Sequence, residues 1–105
     1  PYTTLFRSSS ISLFEITSFA RQGRLRPSIP IRQWITDSLE TPGLALVEID
    51  ADIAAEASIL PGEFAGDGAD RLITATARLR HALLITADER LIRYGREGHV
   101  RLLEV

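Results

Sequence analysis

Ala82-Leu83-Leu84-Ile85-Thr86-Ala87-Asp88 is the stretch on which the architecture turns. A short, unbroken apolar run with a β-branched end is the pattern of a strand buried on both faces, as in parallel sheets. Upstream of it, Ala69 to Arg80 has helical spacing, and Ala69, Ala75 and Ala77 are small enough to let that helix lie close to a sheet. Downstream, Asp88 to Tyr94 reads as a short helix stopped by Gly95, and Val100 to Val105 as a last strand. A second compact run, Leu44 to Ile49, reads as another buried strand. Asp50 or Asp52 then caps a helix running to about Leu60, and Pro61 to Gly68 forms a loop. Nearer the start, Ser10 to Gln22 and Ile31 to Leu39 carry apolar residues at three- and four-residue spacing. Leu13, Ile16, Phe19 and Ala20 form the stripe of the first, with Gly23 as its stop; Ile31, Trp34, Ile35 and Leu39 form that of the second. Arg24 to Pro30 joins them as a loop. Apolar strands alternating with helices predict an α/β domain whose parallel sheet is covered on both faces. Sites in such sheets lie just beyond the carboxyl ends of the strands, where Asp88 falls.

Composition narrows the chemistry. The 105 residues are 45% hydrophobic and 25% charged, enough for one domain with one core. No apolar run approaches the roughly 18 residues of a membrane span, and the start has no basic stretch followed by an apolar one. Cysteine is absent, which excludes disulfides, thiolate metal sites and cysteine nucleophiles and points to the cytoplasm. Lysine is absent as well, so all 12 basic residues are arginine, and neither a Schiff base nor a P-loop is available. The net charge of −2 is not that of a protein that grips nucleic acid by bulk charge. Any nucleic-acid contact must come from local arginines and a bound cation.

Three acids stand near expected helix beginnings: Glu15, Asp70 and Asp88. Each has an ordinary structural reading. Ser12 and Glu15 have capping-box spacing, Asp67 can cap the helix that contains Asp70, and Asp88 can cap the helix that follows its strand. Together they allow a sharper reading. Asp88 lies one residue past a buried strand, and Asp70 lies in the first turn of the helix leading into it. Glu15 is about one helical step, or 100°, from the core position Ile16. Carboxylates gathered in a pocket repel one another unless a cation is present. Hard oxygen donors suit Mg²⁺ or Mn²⁺.

Those motifs, in that order, resemble the PIN-domain ribonucleases of the VapC toxin type. Ser10-x-Ser12-x-x-Glu15-Ile16 with Gly23-Arg24-Leu25, then Asp70-Arg71-Leu72-Ile73-x-Ala75-x-Ala77, then Leu84-Ile85-Thr86-Ala87-Asp88, carry the likeness from about Ser10 to Val105. The resemblance implies a three-layer α/β/α sandwich. It implies a cluster of about four acids binding Mg²⁺ or Mn²⁺ to hydrolyse RNA phosphodiesters. Glu15, Asp70 and Asp88 would be three of those acids, with Thr86 a supporting polar group and Asp67 a possible extra ligand. It further implies a cognate antitoxin as inhibitor, gripped in part by the helical arm bearing Trp34 and Ile35, and a homodimer, the commonest closed assembly. Arg71, beside Asp70, is the expected contact for an RNA phosphate.

The departure from the pattern is at the start. The family's first acid lies in an Asp-x-x-x-Leu segment near the N-terminus, and no acidic residue precedes Glu15 here. Pro1 to Ser8 shows no clear periodicity and matches the in-frame translation of a sequencing-adapter oligonucleotide. It is read as non-native read-through joined to a PIN domain, residues 9–105, that lacks its first strand. The alternative for this stretch is a short strand from Tyr2 to Phe6. Such a chain is expected to bind metal weakly and cleave RNA poorly or not at all. Two other functions compete. A degenerate, non-catalytic interaction module would keep the acids only as caps. A phosphotransfer receiver also gathers carboxylates at strand ends, but it needs a lysine that this chain lacks. His81 and His99 have no histidine partner at ligand spacing and read as surface or helix-end residues.

Overall fold

A computed structural model describes residues 6–105 of the chain. The element order is β1 (Phe6–Ser9), α1 (Ser10–Arg21), α2 (Ile31–Leu39), β2 (Leu44–Val47), α3 (Ala51–Ser58), α4 (Gly68–Leu79), β3 (Leu84–Thr86), α5 (Glu89–Arg96) and β4 (Leu102–Glu104). The chain divides into two compact units, residues 1–48 and 49–105.

In the first unit β1 and β2 pair in parallel, with Phe6 opposite Leu44 and Ser9 opposite Val47. Parallel neighbours need a long crossover, and α1 and α2 supply it. Ser9 caps α1 by accepting the Ile11 N–H. The cap therefore lies three residues before Ser12, and Glu15 sits inside the helix rather than in a capping box. Of the sequence expectations, α2 has the predicted bounds, and its stripe of Ile31, Trp34, Ile35 and Leu39 is half-buried. β1 was not expected. Its sequence has no strand periodicity, and it is a strand because β2 offers it a parallel ladder. The expectation of a strand from Tyr2 to Phe6, and most of the Pro1–Ser8 segment, lies outside the described residues.

The second unit runs α3–α4–β3–α5–β4, and its core draws on α3, α4, β3 and α5. Ile53 and Ala57 of α3, Ala75 and Ala77 of α4, Leu84 of β3, and Leu91, Ile92 and Tyr94 of α5 are buried, together with Leu60 and Val100. α4 packs chiefly on α3 rather than on a sheet, where the alanines were expected to allow close approach. β3 and β4 pair in parallel, Leu84 opposite Leu102 and Thr86 opposite Glu104. Gly95 allows α5 to lie against β4, since a Cβ there would fall 2.1 Å from the Leu102 side chain. The Tyr94 hydroxyl donates to the Pro61 carbonyl at 2.5 Å. Its ring stacks edge-on to Phe64, centroids 5.0 Å apart, which ties the α3–α4 loop to α5. Strands are thus paired within each unit, β1 with β2 and β3 with β4. No helix among the described residues is long and apolar enough to cross a membrane.

Two changes measure this core. Ile53 is fully buried, so Ile53→Ala is expected to cost about 2–5 kcal/mol in urea unfolding. Thr74 of α4 is also fully buried, and its hydroxyl has no hydrogen-bond partner. Thr74→Val removes that orphaned group at nearly constant shape and is expected to raise stability by about 1 kcal/mol in the same measurement.

Candidate active site

Asp67 opens α4 as its N-cap, and its Oδ1 accepts the Asp70 N–H at 2.9 Å. The Asp70 carboxylate reaches back and accepts the Asp67 N–H at 3.2 Å, completing a capping box. Both acids are therefore held rigidly at the positive end of the helix. The preceding loop closes tightly over them. A Cβ on Gly66 would sit 2.6 Å from Asp70 Cβ and 2.5 Å from the Phe64 ring, so only glycine fits there.

Asp88 follows β3 and caps α5, its Oδ1 accepting the Arg90 N–H at 2.8 Å. The Thr86 hydroxyl, at the end of β3, accepts the Asp88 N–H at 3.1 Å and fixes the turn that presents this carboxylate. Strand and helix thus deliver Asp88 toward the start of α4.

Arg90 joins the two. One of its terminal nitrogens, Nη2, lies 3.1 Å from Asp70 Oδ2 and 3.0 Å from Asp88 Oδ2. Its Nε lies 3.3 Å from Asp88 Oδ1, and Nη1 donates to the Ala65 carbonyl at 3.3 Å. A single guanidinium is therefore shared by carboxylates 18 residues apart in sequence. The two acids differ in setting. The side chain of Asp70 is only 16% exposed. Burial raises its pKa above the ordinary carboxylate value, helped by the charges of Asp67 and Asp88 and opposed by the Asp67 N–H and Arg90. The more open Asp88 is shifted down, chiefly by its hydrogen bonds from the Arg90 side chain and backbone.

The remaining expected residues are placed as follows. Glu15 is half-buried in the middle of α1, within the first unit, whereas Asp67, Asp70, Thr86 and Asp88 all belong to the second. Arg71 points its Nε at the Ala57 carbonyl, 2.8 Å away, and its guanidinium lies 5.4 Å from the Phe64 ring centroid. It thereby braces α4 against α3 and the loop. His99 stacks on Tyr94 with centroids 4.7 Å apart and lies 3.6 Å from a Glu97 oxygen. His81 takes a positive φ of 52° just after α4. Both histidines line a pocket of about 450 Å³ together with Glu56, Arg78 and Arg101, and neither contacts the acids above.

Arg90 is the residue that sequence reasoning passed over. One signal for it exists. A cation in the first turn of a helix opposes the helix dipole, so Arg90 at the second position of α5 needs nearby acids to be tolerated. Its neighbour Asp88 was visible; Asp70, 20 residues away, becomes a partner only in the fold.

The donors present suit a hard cation in kind, because Asp70 and Asp88 offer carboxylate oxygens and Thr86 a hydroxyl. Among the described residues, no three acidic or histidine side chains are gathered into a ready-made cage.

Parallel strands joined by helices, with two acids displayed at the start of α4 and the end of β3, define a known class. The PIN domain family model matches residues 5–97, and the chain belongs to that family. Within it, the chain is 41% identical over 83 residues to Ribonuclease VapC22 of Mycobacterium tuberculosis (strain ATCC 25618 / H37Rv). That alignment covers 79% of this chain and 62% of the relative.

The raised pKa of Asp70 has a definite sign in stability. Folding favours its neutral form. That advantage is complete below the ordinary carboxylate pKa and is lost as pH rises through the elevated value, leaving the ionised group a net cost at neutral pH. Asp70→Asn keeps an oxygen for the capping box and removes the charge. In EDTA at pH 7 it is expected to melt at or above the parent, by less than about 1 kcal/mol. The difference should shrink as pH falls toward 4, followed by circular dichroism.

Proposed function

We propose that this chain is a metal-dependent ribonuclease, the toxin of a toxin–antitoxin pair, which hydrolyses RNA phosphodiester bonds in the cytoplasm and is neutralised by a cognate antitoxin. The observation that carries the reading is the meeting of Asp70 and Asp88 on one guanidinium, in a chain of the PIN family that resembles a named ribonuclease.

Asp70 and Asp88 would hold Mg²⁺ or Mn²⁺, with Glu15 as the third carboxylate and Asp67 as a further oxygen donor. When bound, such an ion supplies neutralising charge at a scissile phosphate and makes water easier to deprotonate. The chain's own groups do the positioning. The capping box sets the Asp70 carboxylate in one orientation. Thr86 holds the turn that aims Asp88. Arg71, adjacent to Asp70, is the proposed contact for a neighbouring RNA phosphate. The half-buried stripe of α2 around Trp34 and Ile35 supports the antitoxin contact, and a homodimer is part of the same reading.

A second reading has its own support. Asp67, Asp70 and Asp88 all make cap hydrogen bonds, which a non-catalytic interaction module would also keep. RNA cleavage with and without Mg²⁺ separates the two. Cleavage by this chain, which has no acid before Glu15, is expected to be weak, to vanish in EDTA, and to fall about a hundredfold or more in Glu15→Gln, Asp70→Asn or Asp88→Asn. Cleavage indifferent to metal and to all three substitutions would sink the nuclease reading. Asn variants that fold and bind partners normally, from a parent with no cleavage, would favour the module.

A further inference from the structure

We propose that Arg90 is a built-in counter-cation of the carboxylate pair: it sits between Asp70 and Asp88 when no divalent ion is bound, and the ion and the guanidinium exclude each other. The inference rests on the metal-binding reading given above and assigns this site its own competitor.

Three observations support it. First, the contact is shared. The same nitrogen of Arg90 lies 3.1 Å from one carboxylate and 3.0 Å from the other, so a positive charge already stands where both acids face. Two cations there would repel strongly in a partly desolvated setting. Second, Arg90 has little other reason to lie there. Its position in the first turn of α5 is disfavoured by the helix dipole, and of its side-chain hydrogen bonds only the 3.3 Å bond to the Ala65 carbonyl is not made to one of the two acids. Third, the two sides of the pair differ in freedom. The Arg90 side chain is 49% exposed and can swing into water, whereas Asp70 is 16% exposed and fixed by its capping box. The acids stay, and the arginine is the group that can leave.

The arrangement spares the metal-free protein the repulsion of two facing carboxylates. It also sets a threshold, because metal must displace an ion pair before it binds. Surface-type ion pairs contribute little individually, so the threshold is modest.

The test is Mn²⁺ titration of the whole chain, followed by the electron paramagnetic resonance signal of the free ion, with thermal melting in parallel. Arg90→Gln is expected to bind Mn²⁺ about five- to tenfold more tightly than the parent. It should also melt lower in EDTA, with the deficit closing once Mn²⁺ is added. Arg90→Lys, which keeps the charge, should bind close to the parent. The double variant Asp70→Asn/Asp88→Asn should not bind. Arg90→Gln binding no more tightly than the parent, with the double variant still defective, overturns the counter-cation role and leaves the metal site standing. Equal Mn²⁺ binding by the parent and the double variant, or none by any protein, removes the metal site and this role with it.

Discussion

Like charges held close together need something between them. In the second unit, Asp67 and Asp70 are locked at the start of α4 and Asp88 is presented by the turn after β3. The fold brings these acids near one another and partly buries Asp70. Left alone the grouping would be unfavourable, and Arg90 is what makes it tolerable. The surrounding details serve that arrangement. Gly66 lets the loop close over Asp70, Thr86 fixes the turn at Asp88, and the close seat of α5 on β4 at Gly95 holds the helix that carries Arg90.

Two of the acids, Asp70 and Asp88, play two parts at once. As caps, Asp67, Asp70 and Asp88 satisfy backbone N–H groups that helix starts leave open. Asp70 and Asp88 also face one shared guanidinium, that of Arg90. The roles are compatible because a carboxylate accepts several hydrogen bonds: Asp70 Oδ2 takes both the Asp67 N–H and Arg90. Asp88 shows the division: Oδ1 accepts the backbone of α5, and Oδ2 faces the shared nitrogen of Arg90. A helix cap thus holds the carboxylate in one orientation.

The second unit was largely legible in the sequence because its signals are local. Asp67 before an alanine-rich helix, and Asp88 after a compact apolar run, mark element boundaries by rules that depend only on neighbours. The observed bounds of α3, α4 and α5 differ from expectation by a residue or two, while β3 and β4 are shorter than their apolar runs. What escaped depends on distant partners. β1 lacks any pattern of its own and exists through its ladder with β2. Ser9, not Ser12, caps α1, because the strand delivers the chain to that point. Arg71 and Arg90 are both arginines beside acids in sequence, yet one braces α3 and the other bridges Asp70 and Asp88. Only the packing of α4, the loop and α5 distinguishes them.

The order of elements in the second unit has a kinetic consequence. α3 packs on α4, β3 on β4, and α5 on β4, so its main contacts join segments adjacent or nearly adjacent along the chain. Short loops close at little entropic cost, and topologies of this kind assemble quickly. The pairing of Asp70 with Asp88 spans only the hairpin-like passage from α4 through β3 into α5. Both acids and their common arginine therefore lie within one contiguous stretch, which carries every group of the shared ion pair.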